Sequence, residues 1–231
     1  MKYAIYLTTL LFLVTSAPAN ANQSGSLGGG SMQSSQRVKL TPQQKAVVSY
    51  QGGIKNRDKA AKYEEKVAVE TRDKQRAKLQ KKIDKEYGKA IKNFEKAIEY
   101  FPDFYEVHGS LGYALRKVGR FDDSLAAYDA SLKINPLYGD AIEYRGEAFL
   151  GLNRIDDAKE AYMVLFQNEP PLAKQLLTAM EEWVATRRDD AKGQDSADVE
   201  HFADWIQQRN ELASFVQTNS DETLERWAAT N

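Results

Sequence analysis

Four pairs of adjacent carboxylates, Asp122-Asp123, Asp156-Asp157, Glu181-Glu182 and Asp189-Asp190, have the residue type for general acid–base work, and His108 and His201 are the other titratable candidates near neutral pH. Their spacing argues for structure instead. Asp122-Asp123 and Asp156-Asp157 recur 34 residues apart at the start of helix-forming segments, where carboxylates meet the positive end of a helix. His108 answers the apolar Ile142 34 residues later, so a buried or half-buried histidine is expected there. No Gly-rich phosphate loop, HExxH element or nucleophile elbow is present, and Gly28-Gly29-Gly30 lies in a Ser/Gln-rich stretch without a flanking strand or helix. The chain has no Cys, which excludes disulfides, thiolate nucleophiles and thiolate zinc sites, and two isolated His leave little for other metals. The expectation is a protein that is not an enzyme, with no catalytic residue, no metal and no cofactor.

The elements that would carry any other function are helical. Of 231 residues, 42% are hydrophobic and 28% charged, the profile of a water-soluble domain, and 32 Lys+Arg against 33 Asp+Glu leave no overall bias toward nucleic acid. Residues 1 to 21 read as a secretory signal: Lys2 is the basic start, Tyr3 to Val14 the apolar run, and Ala19-Asn20-Ala21 the cleavage pattern. The run is short of the ~20 residues a membrane span needs. The expectation is therefore an exported protein beginning at Asn22, periplasmic in a diderm bacterium. Residues 22 to 40 form a Gly/Ser/Gln linker expected to be disordered. Thr41-Pro42-Gln43-Gln44 then carries a helix-start signature, and a short helix is expected to run toward Tyr50 and end at Gly52-Gly53.

Charge is segregated along the chain. Between Lys55 and Lys92 there are 14 Lys/Arg and 7 Asp/Glu, whereas Asp140 to Asn231 holds 9 against 19. The basic stretch has an apolar stripe at helical spacing (Tyr63, Val67, Leu79, Ile83, Tyr87, Ile91, Phe94, Ile98) and no breaker but Gly88; residues 41 to 70 read as a basic helical arm, and the helical segment after it is either separate from that arm or continuous with it.

A repeat dominates the middle. Pro102, Pro136 and Pro170 lie 34 residues apart, and Ala90, Ser124 and Ala158, then Phe94, Tyr128 and Tyr162, then Ala97, Ser131 and Leu165 keep the same phase. Leu111-Gly112 with Leu115 answers Arg145-Gly146 with Phe149, and the turn Gly119-Arg120-Phe121-Asp122-Asp123 answers Asn153-Arg154-Ile155-Asp156-Asp157. A small residue facing a small residue lets two helices approach, and an in-phase aromatic fills the space toward the next pair. This pattern resembles the tetratricopeptide repeat (TPR) family over residues 71 to 172, with full units at 105 to 138 and 139 to 172. The unit at 71 to 104 matches only in its second half: Ala77 and Lys78 stand where Leu-Gly belongs, and no Gly or Asn marks its inner turn.

The resemblance implies an all-α fold: a short TPR-type α-solenoid of two full repeats plus one partial, with an N-terminal basic helix and C-terminal capping helices. Residues 173 to 231 supply the cap, with Leu172, Leu176, Leu177, Met180, Trp183 and Val184 in one helix and Val199 to Val216 in a second. A last short helix, started by Asn219 and Glu222, would carry Leu224 and Trp227. Family geometry places Glu106, Tyr113, Arg116, Lys117, Asp140, Glu143, Tyr144 and Glu147 on the concave surface, which implies a protein or peptide partner. Where chaperone-binding members carry a Lys/Asn/Arg clamp, this chain has Gly109, Tyr113, Asp140, Glu143 and Tyr144. A partner segment of basic or aromatic character is expected. The functional expectation is a non-catalytic adaptor or scaffold in a cell-envelope complex. The alternative is peripheral attachment to anionic lipid or lipopolysaccharide, or self-assembly, through Lys55 to Lys92.

Overall fold

The computed structural model describes the backbone of residues 39–190 and 194–230 and the side chains of residues 39–188 and 197–215. The expected signal and nearly all of the expected linker lie outside the described residues. The order is α1 (Pro42–Val69), α2 (Asp73–Tyr100), α3 (Tyr105–Lys117), α4 (Phe121–Ile134), α5 (Gly139–Gly151), α6 (Ile155–Asn168), α7 (Pro170–Asp190) and α8 (Gln194–Thr230). These helices form an α-solenoid of the kind the sequence implies, with no strand among the described residues.

The 34-residue period is literal. Helices α3 and α5 occupy matching windows, as do α4 and α6, and the C-terminal half of α2 from Tyr87 to Tyr100 is in phase with both. The three helices before the prolines end alike: the cap N–H groups of Phe101, Asn135 and Glu169 donate to the carbonyls of Ala97, Ser131 and Leu165. Among the described residues Gly119 and Asn153, 34 apart, are the two positive-φ positions, at 77° and 61°. That left-handed residue reverses the chain between the helices of a unit, and Gly and Asn adopt it most readily. Arg120 to Asp123 and Arg154 to Asp157 then pin the first turns of α4 and α6 at 2.7 and 2.9 Å, so the carboxylate pairs there serve helix starts. Phe94, Tyr128 and Tyr162 are all buried, as are Ala90, Ser124 and Ala158 behind them.

Helix α1 departs from expectation and explains the partial first repeat. It does not stop at Gly52-Gly53. Its capping box at Thr41 and Gln44 forms as expected, but the helix continues to Val69 and packs along the whole of α2. Mid-helix glycine costs about 1 kcal/mol in isolation, and here packing reverses the outcome: a side chain at Gly53 would run into the ring of Phe94. The same close approach recurs at Gly112, where a Cβ would lie 2.6 Å from the Tyr128 ring. Since Phe94 and Tyr128 are equivalent, the start of α1 is the first helix of the first unit. The missing inner-turn residue is explained too: position 85 lies inside α2, and the chain reverses instead at Glu70-Thr71-Arg72, where the Glu70 carboxylate accepts from the Arg72 backbone N–H and side chain. The expected boundary at residue 70 is thus the tip of an extended helical hairpin, and the arm and the solenoid share α1.

Glu86 clamps that hairpin. Its carboxylate, 6% exposed, accepts from Lys89 at 2.8 Å, Asn56 at 2.9 Å and Lys59 at 3.1 Å. Lys89 first, then Asn56 and Lys59, hold its pKa down at about 2 against the desolvation that opposes them. Because the folded pKa is depressed, the contribution is complete above the ordinary value of 4.5 and is lost as pH falls toward 2. Glu86→Gln is expected to cost about 2 kcal/mol at pH 7, less than a fully buried pair because both lysines stay half solvated. Urea unfolding should show the gap between variant and parent closing below pH 4.

At the other end, α7 occupies the place of a further first helix. It starts on Pro170 itself, three residues earlier in phase than α3 and α5, since a proline at the first helical position needs no N–H partner. Gly146, expected to admit its own unit's second helix, instead receives Leu176 of α7 at 2.6 Å from where its Cβ would be. Leu176, Leu177, Met180 and Val184 are buried, and α8 covers them with Val199, Phe202 and Ile206. Farther along α8, Leu212 and Phe215 of the expected second cap segment are 40% and 67% exposed. No separate final helix begins at Asn219, because without Gly or Pro nothing interrupts α8 before Thr230. The side chains of Leu224 and Trp227 lie outside those described.

Candidate partner-binding groove

The inner surface is built by α1, α3 and α5, whose exposed rows face the same side because every first helix of a unit repeats the same orientation. At one end Tyr50, Glu106, Tyr138 and Asp140 meet. The Tyr50 hydroxyl is pushed up by burial, opposed by a hydrogen bond with Ser110, and feels the charges of Arg57, Glu106 and Asp140. Tyr138 donates to Asp140 at 3.3 Å and sets its ring edge-on to Tyr105, centroids 5.0 Å apart.

The middle is a charged and aromatic cluster. Tyr113 and Tyr144 lie edge to face at 5.0 Å, with the Arg116 guanidinium 5.4 and 5.5 Å from the two ring centres. That guanidinium reaches across the units to Glu147 at 2.5 Å. Lys117 extends instead to Glu64 of α1 at 3.0 Å. Of the eight expected groove residues, Tyr113, Arg116, Tyr144 and Glu147 therefore interlock, Glu106 and Asp140 share the upper end, and Lys117 bridges to the hairpin. Glu143 is corrected: its residue is 3% exposed, below the surface. Desolvation first, then the neighbouring Glu147 charge, pushes its pKa up to about 9 despite Arg116. It is a protonated carboxyl at neutral pH.

Sequence reasoning missed the α1 wall, Tyr50, Arg57 and Glu64. Gly53 was the available signal, standing in the role of Gly112 but 59 residues earlier, 25 more than one repeat period. His108 is half-buried and its Nε2–H donates to the Pro102 carbonyl at 2.7 Å, tying α3 to the turn before it. Among the described residues no group of three or more His, Cys, Asp or Glu is arranged to hold a metal.

The family model of the tetratricopeptide repeat matches residues 85–138 and again 110–165. Over those residues the chain is similar to the tetratricopeptide repeat. A similar protein is the small glutamine-rich tetratricopeptide repeat-containing protein 2 of Mycosarcoma maydis, 30% identical over 86 residues, or 37% of this chain. The chain spans 24% of the length of that curated relative. Among solved structures, the first TPR of Spaghetti (RPAP3) bound to the HSP90 peptide SRMEEVD is 18% identical, at a TM-score of 0.41 over 58% of this chain and 94% of that one. Both family matches begin after α1 and end before α7, so the tetratricopeptide pattern stops at the two helices that complete the stack.

Proposed function

We propose that the protein is an exported, non-catalytic adaptor that holds an extended segment of a protein partner in the groove formed by α1, α3 and α5, in a complex of the cell envelope. The export part of this reading rests on residues 1 to 21, and mass measurement of the mature protein tests it by a start at Asn22. The partner chemistry rests on one observation: Arg116 lies between the Tyr113 and Tyr144 rings and against Glu147. The chain's own arginine illustrates how this surface receives a guanidinium, through cation–π contact and a charge-assisted hydrogen bond. Glu106 and Asp140 add carboxylates near the Tyr50 and Tyr138 hydroxyls at the other end. An arginine- or lysine-bearing segment with aromatic neighbours fits it.

Charge reversal tests this best where the carboxylate is accessible. Glu143 is a poor choice, since lysine there would bury an unpaired charge, so the pair to change is Glu106→Lys with Asp140→Lys. A fluorescent peptide with arginine at alternate positions is expected to bind the parent and to lose about tenfold in affinity with the double variant. Equal binding of the matching glutamate peptide, or no loss in the variant, refutes the partner chemistry. In-cell crosslinking with mass spectrometry then identifies the partner.

A further inference from the structure

We propose that the outward face of α2 is an electrostatic docking strip for an anionic lipid leaflet. Lys74, Lys78, Lys81, Lys85, Lys92 and Lys96 follow one another at intervals of three, four and seven residues, and all are exposed. At 3.6 residues per turn they fall within about 60° of arc, and they extend along about 33 Å of helix. Directly opposite are Ile83, Tyr87, Ala90, Phe94 and Ala97, the buried face against α1 and α3. The strip is thus held rigidly outward by the same packing that builds the first repeat.

The structure separates these lysines from the rest of the basic stretch. Among the described residues, Lys59 and Lys89 are spent on Glu86, Arg57 on Asp58 and Arg72 on Glu70, while Lys66 and Lys82 cover the Tyr63 ring. None of the six strip lysines has a carboxylate within ion-pair distance among the described residues. Of the acidic residues on α2, Glu86 is buried in its clamp, Asp73 precedes the strip, Asp84 and Glu95 flank it, and Glu99 lies past its end. Gly88 sits beside the row with nothing within 4 Å of where a Cβ would be, leaving the backbone open to approach.

A straight row of point charges fits a flat anionic surface, which meets every lysine at once. A nucleic-acid duplex curves away from a straight rod. The strip also lacks the arginine forks and stacking rings that grip phosphates and bases individually. Near an anionic leaflet each lysine adds about fivefold to partitioning, so six together give on the order of 10⁴ at physiological salt. This surface is separate from the groove and does not depend on its reading.

The test is co-sedimentation of the full chain with vesicles of phosphatidylcholine and phosphatidylserine at seven to three, against phosphatidylcholine alone. Binding is expected only to the anionic vesicles, weakening as salt rises. Replacing Lys78, Lys81, Lys85 and Lys92 with Gln should lower partitioning several hundredfold with helicity unchanged by circular dichroism. The same charge change at four exposed lysines elsewhere, Lys55, Lys62, Lys133 and Lys174, should lower it less than tenfold. Equal losses in the two quadruple variants would make net charge, not the strip, responsible and overturn the proposal. Failure of the parent to bind anionic vesicles overturns it too, as does tighter binding to a short DNA duplex at equal salt, or a parent dimer that the strip variant dissolves.

Discussion

Gly53→Val is expected to destabilise the protein by about 3 kcal/mol, while Gly52→Ala, one position earlier on the same helix, is expected to stabilise it by up to about 1 kcal/mol. Both glycines are helical, so both variants change backbone freedom; what separates them is the space beside each. A Cβ at Gly52 would lie 3.4 Å from the Asn93 amide oxygen, an ordinary contact, and alanine there gains helix propensity. A side chain at Gly53 enters the ring of Phe94, which is fully buried and cannot swing into solvent. Gly53→Ala gives the intermediate case, with helix propensity gained set against a smaller overpacking penalty. Thermal and urea unfolding measure all three, and hydrogen exchange locates the damage, since α1 amides should lose protection before those of α5 and α6. Unchanged stability in Gly53→Val would show that α1 does not occupy the first-helix position of the first unit, and the α1 wall of the groove would go with it.

Glu143→Gln should make the protein more stable at neutral pH and leave it nearly unchanged near pH 4. The folded carboxyl keeps its proton up to about 9 because of burial and the adjacent Glu147, whereas the unfolded one ionises near its ordinary 4.5. Between those values the folded state binds more protons, so stability falls as pH rises. The introduced amide keeps a donor toward Glu147 and cannot titrate. The variant's advantage should therefore grow steadily between pH 5 and pH 7, seen as a widening gap in Tm between variant and parent. Parallel pH profiles for the two proteins would place Glu143 in water and remove the proton from the centre of the groove. The direction is opposite to that at Glu86, where donors surround the carboxylate; neighbours alone separate the two glutamates.

Much of this was readable from residues because a repeat states the same local requirement more than once. One Gly119 is weak evidence for a turn, but Gly119 and Asn153 at equal phase, each followed by Arg and an acidic pair, specify both the turn and the helix start. The in-phase Phe94, Tyr128 and Tyr162 likewise identified the buried face without coordinates. The inner surface was legible only as far as its helices were recognised, so Tyr113 and Glu147 were placed on it from the sequence while the α1 residues Tyr50, Arg57 and Glu64 were not considered.

By itself, the amino-acid sequence determined how the helices of the two full units pair, where their inner turns fall and which rings fill the core, because a pattern repeated at a 34-residue interval states those requirements twice. Tertiary structure alone decided that α1 runs through two glycines, that Glu143 is buried and neutral, and that six lysines of α2 face outward unpaired. Each of those outcomes depends on residues that are distant in sequence, Phe94 for Gly53, Arg116 for the carboxylates and Glu86 for the neutralised lysines. No local pattern encodes such neighbours, since desolvation and close packing exist only after the helices have stacked.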